Sequence, residues 1–294
     1  MSRDPWPNRT VRVGPFAFRL RSPLAGVIAA ADRLYRDYPA GTVDSIVDYT
    51  VAVHPSSPLR RWLRPKLVLA CDIEVPLMAP VPRAHGLLAL EMGMNLQLAA
   101  GMHRFLLLHA AAVERDGGGL IMTGDSGAGK STLSAVLAYN GWRFLGDEFA
   151  LLGPDDGLLH PFPRPVSLKN GSIELLRAAV PADRFGPRFE GTIKGTIQHL
   201  IPPAEAVAAM DVPARPRLIV MPGFAAGAQP AVRRLSRSEA FVRLSQASTN
   251  YRKLGEAGFE ALWRLVEATP AYAIAYGSSA AAQALIDELW AVHG

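Results

Sequence analysis

Hydrophobic and polar positions along the chain follow two periods, one typical of strands and one typical of helices. In the first eighty residues, the period of two predicts strands over 11–21, 43–54 and 67–75. Apolar residues at helical spacing predict a helix over 24–35, begun at Pro23. Three prolines within 76–82 then predict a linker. We therefore expect a small N-terminal α/β module over residues 1–80.

The rest of the chain, residues 81–294, predicts a larger α/β domain. A mostly apolar helix over 84–101 is the element on which we expect this domain to pack. Further strands are predicted over 105–113, 120–123, 142–145, 149–152, 218–221 and 271–276. Further helices are predicted over 130–140, 236–245, 256–268 and 278–292. Ser236 and Ser278 stand where the N-caps of two of these helices are expected.

The strand that ends at Thr123 runs into a glycine-rich loop and then a helix. From Gly124 to Ser131 the sequence fits G-x-x-x-x-G-K-[ST] at each fixed position. The glycines let successive backbone N–H groups point at an anion, and the helix adds its free N-terminal donors. We therefore predict a phosphate-binding loop formed by Gly124, Asp125, Ser126, Gly127, Ala128, Gly129, Lys130, Ser131 and Thr132.

This motif predicts ATP and Mg²⁺ as the bound groups. Lys130 is expected on the β- and γ-phosphates, and the Ser131 hydroxyl is expected to ligate Mg²⁺.

Two adjacent acids, Asp147 and Glu148, follow Lys130 by 17 and 18 residues. One helix and a return strand place them at the carboxyl end of a neighbouring strand, where ligands bind in parallel α/β sheets. Phosphoryl transfer to a hydroxyl needs one carboxylate to take the acceptor proton and another ligand for Mg²⁺. We assign Asp147 to the acceptor and Glu148 to the metal.

Composition and charge limit the classes of partner. The net charge of +5, from 31 basic and 26 acidic residues, is too small to indicate a nucleic-acid partner. No signal peptide is evident, and polar residues interrupt the longest apolar tract, 87–113, so we expect a cytoplasmic protein with no membrane partner. Cys71 is the only cysteine. The basic run 60–66 is interpreted as a solvated loop, with docking of an acidic peptide or protein as the alternative.

His109, the loop from Gly124 to Ser131, and Gly146-Asp147-Glu148 together resemble the catalytic domain of HPr kinase/phosphorylase, in the branch of HPr kinase-related proteins. The resemblance covers 105–152. It implies a P-loop nucleotide-binding domain similar to phosphoenolpyruvate carboxykinase, and a homo-oligomer. It also implies that His109 lies near the phosphates and that Asp147 activates the acceptor serine. Glu148 replaces the second acid of the family's Asp-Asp pair.

The downstream sequence departs from that family. Its signature, rich in Glu-Arg-Gly and Gly-Ile pairs, has no good copy here, and residues 163–170 occupy the region. The departure leaves open whether HPr is the substrate and whether the reverse dephosphorylation occurs. Segments rich in turn formers carry four basic residues, Arg164, Lys169, Lys194 and His199. We interpret Arg164, Lys169 and His199 as exposed loop charges, with contact to phosphate or peptide as the alternative, and for Lys194 both interpretations stay open. Lys194 is assigned to nucleotide binding, within a predicted flap at 192–196.

The sequence thus predicts an ATP-dependent kinase that phosphorylates a serine or threonine of a peptide or small protein. A kinase of a small-molecule hydroxyl, such as free serine, is an alternative. A nucleotide-dependent switch ATPase that acts on a protein partner is another. Intact Lys130, Ser131 and Asp147 argue against a degenerate kinase that only binds nucleotide.

Overall fold

The computed structural model describes residues 6–41, 46–57, 66–73 and 79–293. The basic residues Arg60, Arg61 and Arg64 lie outside these ranges, and so do residues 76–78 of the predicted linker. The fold is mixed α/β, with four β-sheets and eight α-helices in the described residues. The predicted division of the chain after residue 80 stays a prediction.

The first sheet has five strands in the order β1-β2-β3-β4-β5. These are β1 (Asn8–Val13), β2 (Phe16–Arg21), β3 (Tyr49–Pro55), β4 (Lys66–Cys71) and β5 (Val81–Pro82). The single strand predicted over 11–21 is wrong, because β1 and β2 form an antiparallel hairpin. Gly14 makes the turn with a φ of 52°, and a Cβ at this position would lie 2.0 Å from the Pro161 carbonyl oxygen.

Two helices pack on this sheet, α1 (Ala25–Leu34) and α2 (Gly86–Gly101). The helix predicted over 84–101 is confirmed, but it packs on β3 and β4 of the N-terminal sheet. A Cβ at Gly93 would lie 2.4 Å from Val51, so the helix backbone can approach β3 only with glycine here. Leu90 and Leu98 of α2 share one apolar core with Phe149 and Leu151, which joins this sheet to the rest of the protein.

The central sheet has six strands in the order β16-β17-β15-β8-β7-β9. They are β7 (Ala110–Arg115), β8 (Gly118–Thr123), β9 (Arg143–Gly146), β15 (Arg215–Phe224), β16 (Ala231–Arg234) and β17 (Ala271–Tyr276). Strands β8, β15 and β17 are parallel neighbours. Strand β7 is antiparallel to both β8 and β9, so those two point the same way with β7 between them. The expectation that β9 would be the immediate neighbour of β8 is therefore wrong.

Helices cover both faces of this central sheet. They are α3 (Lys130–Ala138) and α8 (Ser279–Val292) on one face, and α6 (Arg237–Ala247) and α7 (Tyr251–Ala268) on the other. Alternation along β8 produces the two faces, since Leu120 and Met122 join the first core and Ile121 joins the second. The predicted N-caps are confirmed: the Ser236 and Ser278 hydroxyls accept backbone N–H groups at 3.2 Å.

The remaining elements form two three-stranded sheets and two short helices. One sheet has the order β11-β10-β6, from β6 (Leu106–Leu108), β10 (Ala150–Leu152) and β11 (Leu159–His160). The other has the order β12-β14-β13, from β12 (Val166–Lys169), β13 (Phe185–Thr192) and β14 (Gly195–Leu200). The helices are α4 (Gly171–Arg177) and α5 (Ala204–Ala208).

The strand predicted over 105–113 is interrupted at His109. The two parts, β6 and β7, belong to different sheets. The His109 backbone N–H donates to the Ala247 carbonyl at 2.8 Å, at the end of α6, instead of continuing a ladder. The interruption places the His109 side chain at the edge where β8 and β9 end.

Candidate functional site

The glycine-rich loop connects β8 to α3, as predicted. Gly127 and Gly129 have φ values of 87° and 97°, which other residues rarely adopt. A Cβ at Gly129 would also lie 2.5 Å from the Tyr276 hydroxyl oxygen. Residues 125–127 form the exposed tip of the loop. Both the backbone conformation and the close contact therefore require glycine at position 129.

Lys130 begins α3 and lies beneath the loop. The residue is 7% exposed, and its ammonium donates to the carbonyls of Gly124 at 2.6 Å and Asp125 at 3.0 Å. Burial lowers the pKa of Lys130, while the charges of Asp147, Glu148 and Asp125 act to raise it. The Lys130 charge is thus held between the loop and the two predicted acids.

Asp147 follows the last residue of β9 and is 7% exposed. Neither of its carboxylate oxygens has a hydrogen-bond partner of good geometry among the described residues. Burial, with the Glu148 charge, raises the pKa of Asp147 to about 7, although the Ser131 hydroxyl, the Lys169 charge and the Ser167 backbone lower it in part. A buried carboxylate without a partner is costly, and such groups concentrate at functional sites.

His109 and Glu148 lie together beside Asp147. The His109 Nδ1 atom is 3.1 Å from the Glu148 backbone oxygen and 3.8 Å from its carboxylate Oε2. The Thr123 hydroxyl, at the start of the loop, donates to the His109 carbonyl at 3.3 Å. The strand ends thus bring His109, Asp147 and Glu148 to the edge of the sheet that carries the loop. Both side chains of the His109–Glu148 pair are partly exposed.

Two of the basic residues that we expected on exposed loops, Arg164 and His199, are buried. Arg164 pairs with Glu91, at 2.5 Å between Nη2 and Oε2, and both side chains are almost fully buried. Burial lowers the pKa of His199, which favours the neutral ring. Neither residue presents a charge on an exposed loop, so these two expectations are wrong. Arg164 is buried against Glu91 of α2, and His199 is buried within β14.

The other two basic residues lie at one end of the β12-β14-β13 sheet. Lys169 ends β12, and its charge lowers the pKa of both Asp147 and Lys130. Lys194 is exposed in the turn between β13 and β14, and the Asn170 side chain donates to its carbonyl at 3.3 Å. Lys169 is therefore the stronger basic candidate at the acids, while the assignment of Lys194 to nucleotide binding stays a prediction.

On the opposite side of the loop lie two aromatic residues, Tyr276 and Phe224, that the sequence pattern did not indicate. The Tyr276 hydroxyl donates to the Ala128 carbonyl at 3.4 Å, and the Phe224 backbone N–H donates to the same carbonyl at 3.3 Å. Burial raises the pKa of Tyr276 to about 12. Each residue is the last of a parallel strand that ends beside the loop. The predicted strand stopped at Met221, three residues short of Phe224, and so lost this signal.

The acids and Ser131 also fit a magnesium ion. The described residues contain no group of three His, Cys, Asp or Glu side chains that could hold a metal. Mg²⁺, however, is usually bound by one or two carboxylates together with substrate phosphates and waters. The Glu148 carboxylate and the Ser131 hydroxyl, which both lie near Asp147, would provide such ligands.

Two clefts lie away from this site. One, of ≈ 250 Å³, lies beside the start of α6, and the other, of ≈ 600 Å³, lies beside the end of α3. Neither is lined by a residue of the glycine loop or by Asp147 or Glu148. The side chains of the candidate site thus lie outside both clefts.

Within the described ranges, no helix is long and apolar enough to cross a membrane. No family model matches this sequence, and no curated protein matches it.

Proposed function

We propose that this protein is an ATP-dependent kinase that transfers the γ-phosphate to a serine or threonine hydroxyl of a peptide or small protein. The observation that carries the proposal is the position of Asp147, near Ser131 at the start of α3. Its buried carboxylate has no hydrogen-bond partner of good geometry, and burial raises its pKa to about 7. A carboxylate of this pKa can accept the proton of a hydroxyl at neutral pH.

The glycine loop is the proposed P-loop of this kinase. Its motif, its position between β8 and α3, and the start of α3 at Lys130 support this role. Backbone N–H groups of 124–129 would hold the phosphates, and Lys130 would exchange its loop carbonyls for the β- and γ-phosphate oxygens. The resemblance of 105–152 to HPr kinase/phosphorylase also supports the proposal.

Each residue of the acidic side has a distinct task in this proposal. Asp147 orients the acceptor hydroxyl and takes its proton as the oxygen attacks the terminal phosphorus, while the bond from that phosphorus to the β–γ bridging oxygen breaks and ADP leaves. His109, against the Glu148 carboxylate, fixes that acid on the side of the loop. Ser131 and Glu148 would hold Mg²⁺, which supplies positive charge to the phosphate oxygens when it is bound. Lys169 adds a cation near the same point.

Phosphate transfer from γ-labelled ATP tests the proposal. Wild-type protein with Mg²⁺ is incubated with serine- and threonine-containing peptides, with free serine, or with no acceptor. We expect label on peptide, and loss of transfer in Lys130→Ala and Asp147→Asn. Asp155→Asn is the matched control, because Asp155 is an exposed acid in the turn before β11.

The acceptor arms separate the alternatives. Label on free serine alone would indicate a small-molecule kinase. Release of phosphate without any acceptor, with full activity in Asp147→Asn, would indicate a switch ATPase and would contradict the proposed base. No nucleotide binding by the wild type would contradict the whole proposal.

A further inference from the structure

The carboxyl edge of the central sheet has two unlike sides around the glycine loop. On the side of β7 and β9 it carries acids and His109, and on the side of β15 and β17 it carries Phe224 and Tyr276. We propose that Phe224 is the platform on which the base of a bound nucleoside triphosphate stacks. This inference rests on the proposed function and deepens it, since it assigns the two sides of the edge to opposite ends of the nucleotide.

Phe224 adjoins the second half of the loop. Its backbone N–H is bonded to the Ala128 carbonyl at 3.3 Å, and its Cβ lies 3.4 Å from where a Cβ of Gly129 would be. The Phe224 and Tyr276 rings are 5.9 Å apart between centroids, at 53°. Tyr276 is itself buried and contacts Ala128 through its hydroxyl. The Phe224 ring therefore packs on the buried Tyr276 ring, beside the part of the loop that leads into α3.

Phe224 is exposed at the end of a largely buried strand. Residues Leu218 to Pro222 of β15 are buried, whereas Gly223 and Phe224 are exposed, and Phe224 is 49% exposed. Of the exposed phenylalanine and tryptophan side chains among the described residues, only Phe224 adjoins the loop. The other two, Phe259 and Trp263, contact Phe241 on the α6 and α7 surface.

The direction of the nucleotide follows from the acids. A nucleoside triphosphate carries its terminal phosphate and its base at opposite ends, and the acids that would act on the terminal phosphate lie on the β9 side. The base must then leave the loop on the β15 side, where Phe224 offers an aromatic face. The residues that follow, Ala225, Ala226, Gly227 and Ala228, have no side-chain hydrogen-bonding groups. Stacking is thus the interaction that this segment's side chains can give to a base.

The test compares a ligand that has a base with one that lacks it. Isothermal titration with Mg²⁺ measures the Kd of a non-hydrolysable ATP analogue and of inorganic tripolyphosphate. We expect Phe224→Ala to weaken the ATP analogue about tenfold, and to leave the Kd of tripolyphosphate unchanged. Phe224→Trp should retain the affinity for the analogue. Phe259→Ala is the matched control, because Phe259 is 48% exposed but lies on α7, and it should change neither Kd.

The outcomes separate this inference from the proposed function. If the wild type binds the analogue and Phe224→Ala binds it equally well, the stacking platform is overturned and the kinase proposal stands. Equal weakening of both ligands would also overturn the platform, because it would show a structural effect on the loop. If the wild type binds neither ligand, the proposed function fails and this inference fails with it.

Discussion

Two buried carboxylates, Glu91 and Asp147, show opposite ways of placing an acid inside this protein. They are similarly covered, at 3% and 7% exposure. Glu91 accepts from Arg164 at 2.5 Å and from the Tyr35 hydroxyl at 2.8 Å, whereas Asp147 has no hydrogen-bond partner of good geometry. The charge of Glu91 is thus neutralised within the fold, whereas the Asp147 carboxylate is left available for the proposed proton transfer.

The surroundings of Glu91 are those of a structural ion pair. Arg164 also donates to the Glu91 carbonyl at 2.9 Å and to the Asn95 side chain. Burial lowers the pKa of Arg164, but the Glu91 charge and the Tyr35 hydroxyl outweigh it, so the pKa is raised and the guanidinium stays charged. This pair joins α2 to the segment that leads into β12, and thus links the first sheet to the side of the site that carries Lys169.

The largest expected effect is that of Asp147→Asn on phosphate transfer. Removing a general base lowers the rate by about 10²–10⁴-fold. The free energy of unfolding should stay equal or rise, because the amide removes a charge that the fold buries without a partner. Initial rates with labelled ATP and urea unfolding of the same preparation measure both. A variant that is destabilised but still transfers phosphate at the wild-type rate would show that Asp147 is structural.

The same change of carboxylate to amide at Glu91 should instead lower the free energy of unfolding. Glu91→Gln leaves Arg164 as an uncompensated buried charge, which typically costs about 3–5 kcal/mol in the free energy of unfolding. Urea unfolding monitored by circular dichroism measures this loss. Glu239→Gln is the matched control, because Glu239 pairs with Arg233 on an exposed surface, and it should have no measurable effect. If Glu91→Gln and Glu239→Gln unfold with the same free energy, Glu91 is not held in a structural ion pair, and the contrast between Glu91 and Asp147 is contradicted.

The elements of this comparison were predictable to different degrees. The loop, the helix from Lys130 and the caps at Ser236 and Ser278 follow from local pattern and turn chemistry, and the sequence predicted them. The location of Asp147 and Glu148 near the loop was also predicted, because two acids follow the motif closely in the chain. That β7 would lie between the strands of the loop and the acids depends on pairing between distant segments, which periodicity does not report.

The burial of the basic residues Arg164 and His199 also depends on contacts between segments that are distant in the chain. Arg164 lies in a proline-rich stretch, which suggests an exposed loop. Only the fold brings Glu91 of α2 next to Arg164. His199 lies in a strand whose burial comes from neighbours far away in the chain. Phe224 was missed because a proline and a glycine precede it, which suggested that the strand had ended.

The pH dependence offers a smaller and more specific test of Asp147. Its pKa is about 7 in the folded protein and near 4 in an unfolded chain. Between these values the folded state binds the proton and the unfolded state does not, so the contribution to stability is complete below pH 4 and is lost as the pH rises to 7. The transfer rate should change the other way, rising about tenfold per pH unit up to pH 7 as the base ionises.

Stability curves and rate profiles from pH 5 to 9 measure these two slopes. Asp147→Asn should abolish the fall in the free energy of unfolding between pH 5 and 7, whereas Asp155→Asn should retain it. A rate profile that is flat through pH 7 in the wild type would contradict the assignment of Asp147 as the base.

The smallest expected effect comes from replacing the whole Glu91 pair by apolar residues. The triple variant Glu91→Leu, Arg164→Met, Tyr35→Phe removes both charges and the hydroxyl that bonds to them, so no buried charge is left alone. Buried ion pairs replaced in this way commonly lose no stability, because the desolvation of two charges offsets their attraction. We therefore expect a free energy of unfolding within about 1 kcal/mol of the wild type, compared with the large loss in Glu91→Gln. If urea unfolding instead shows the triple variant to be as unstable as the single one, the pair itself stabilises the fold. Glu91 and Asp147 would then differ in their net contribution to the free energy of unfolding, and not only in whether each acid has a partner.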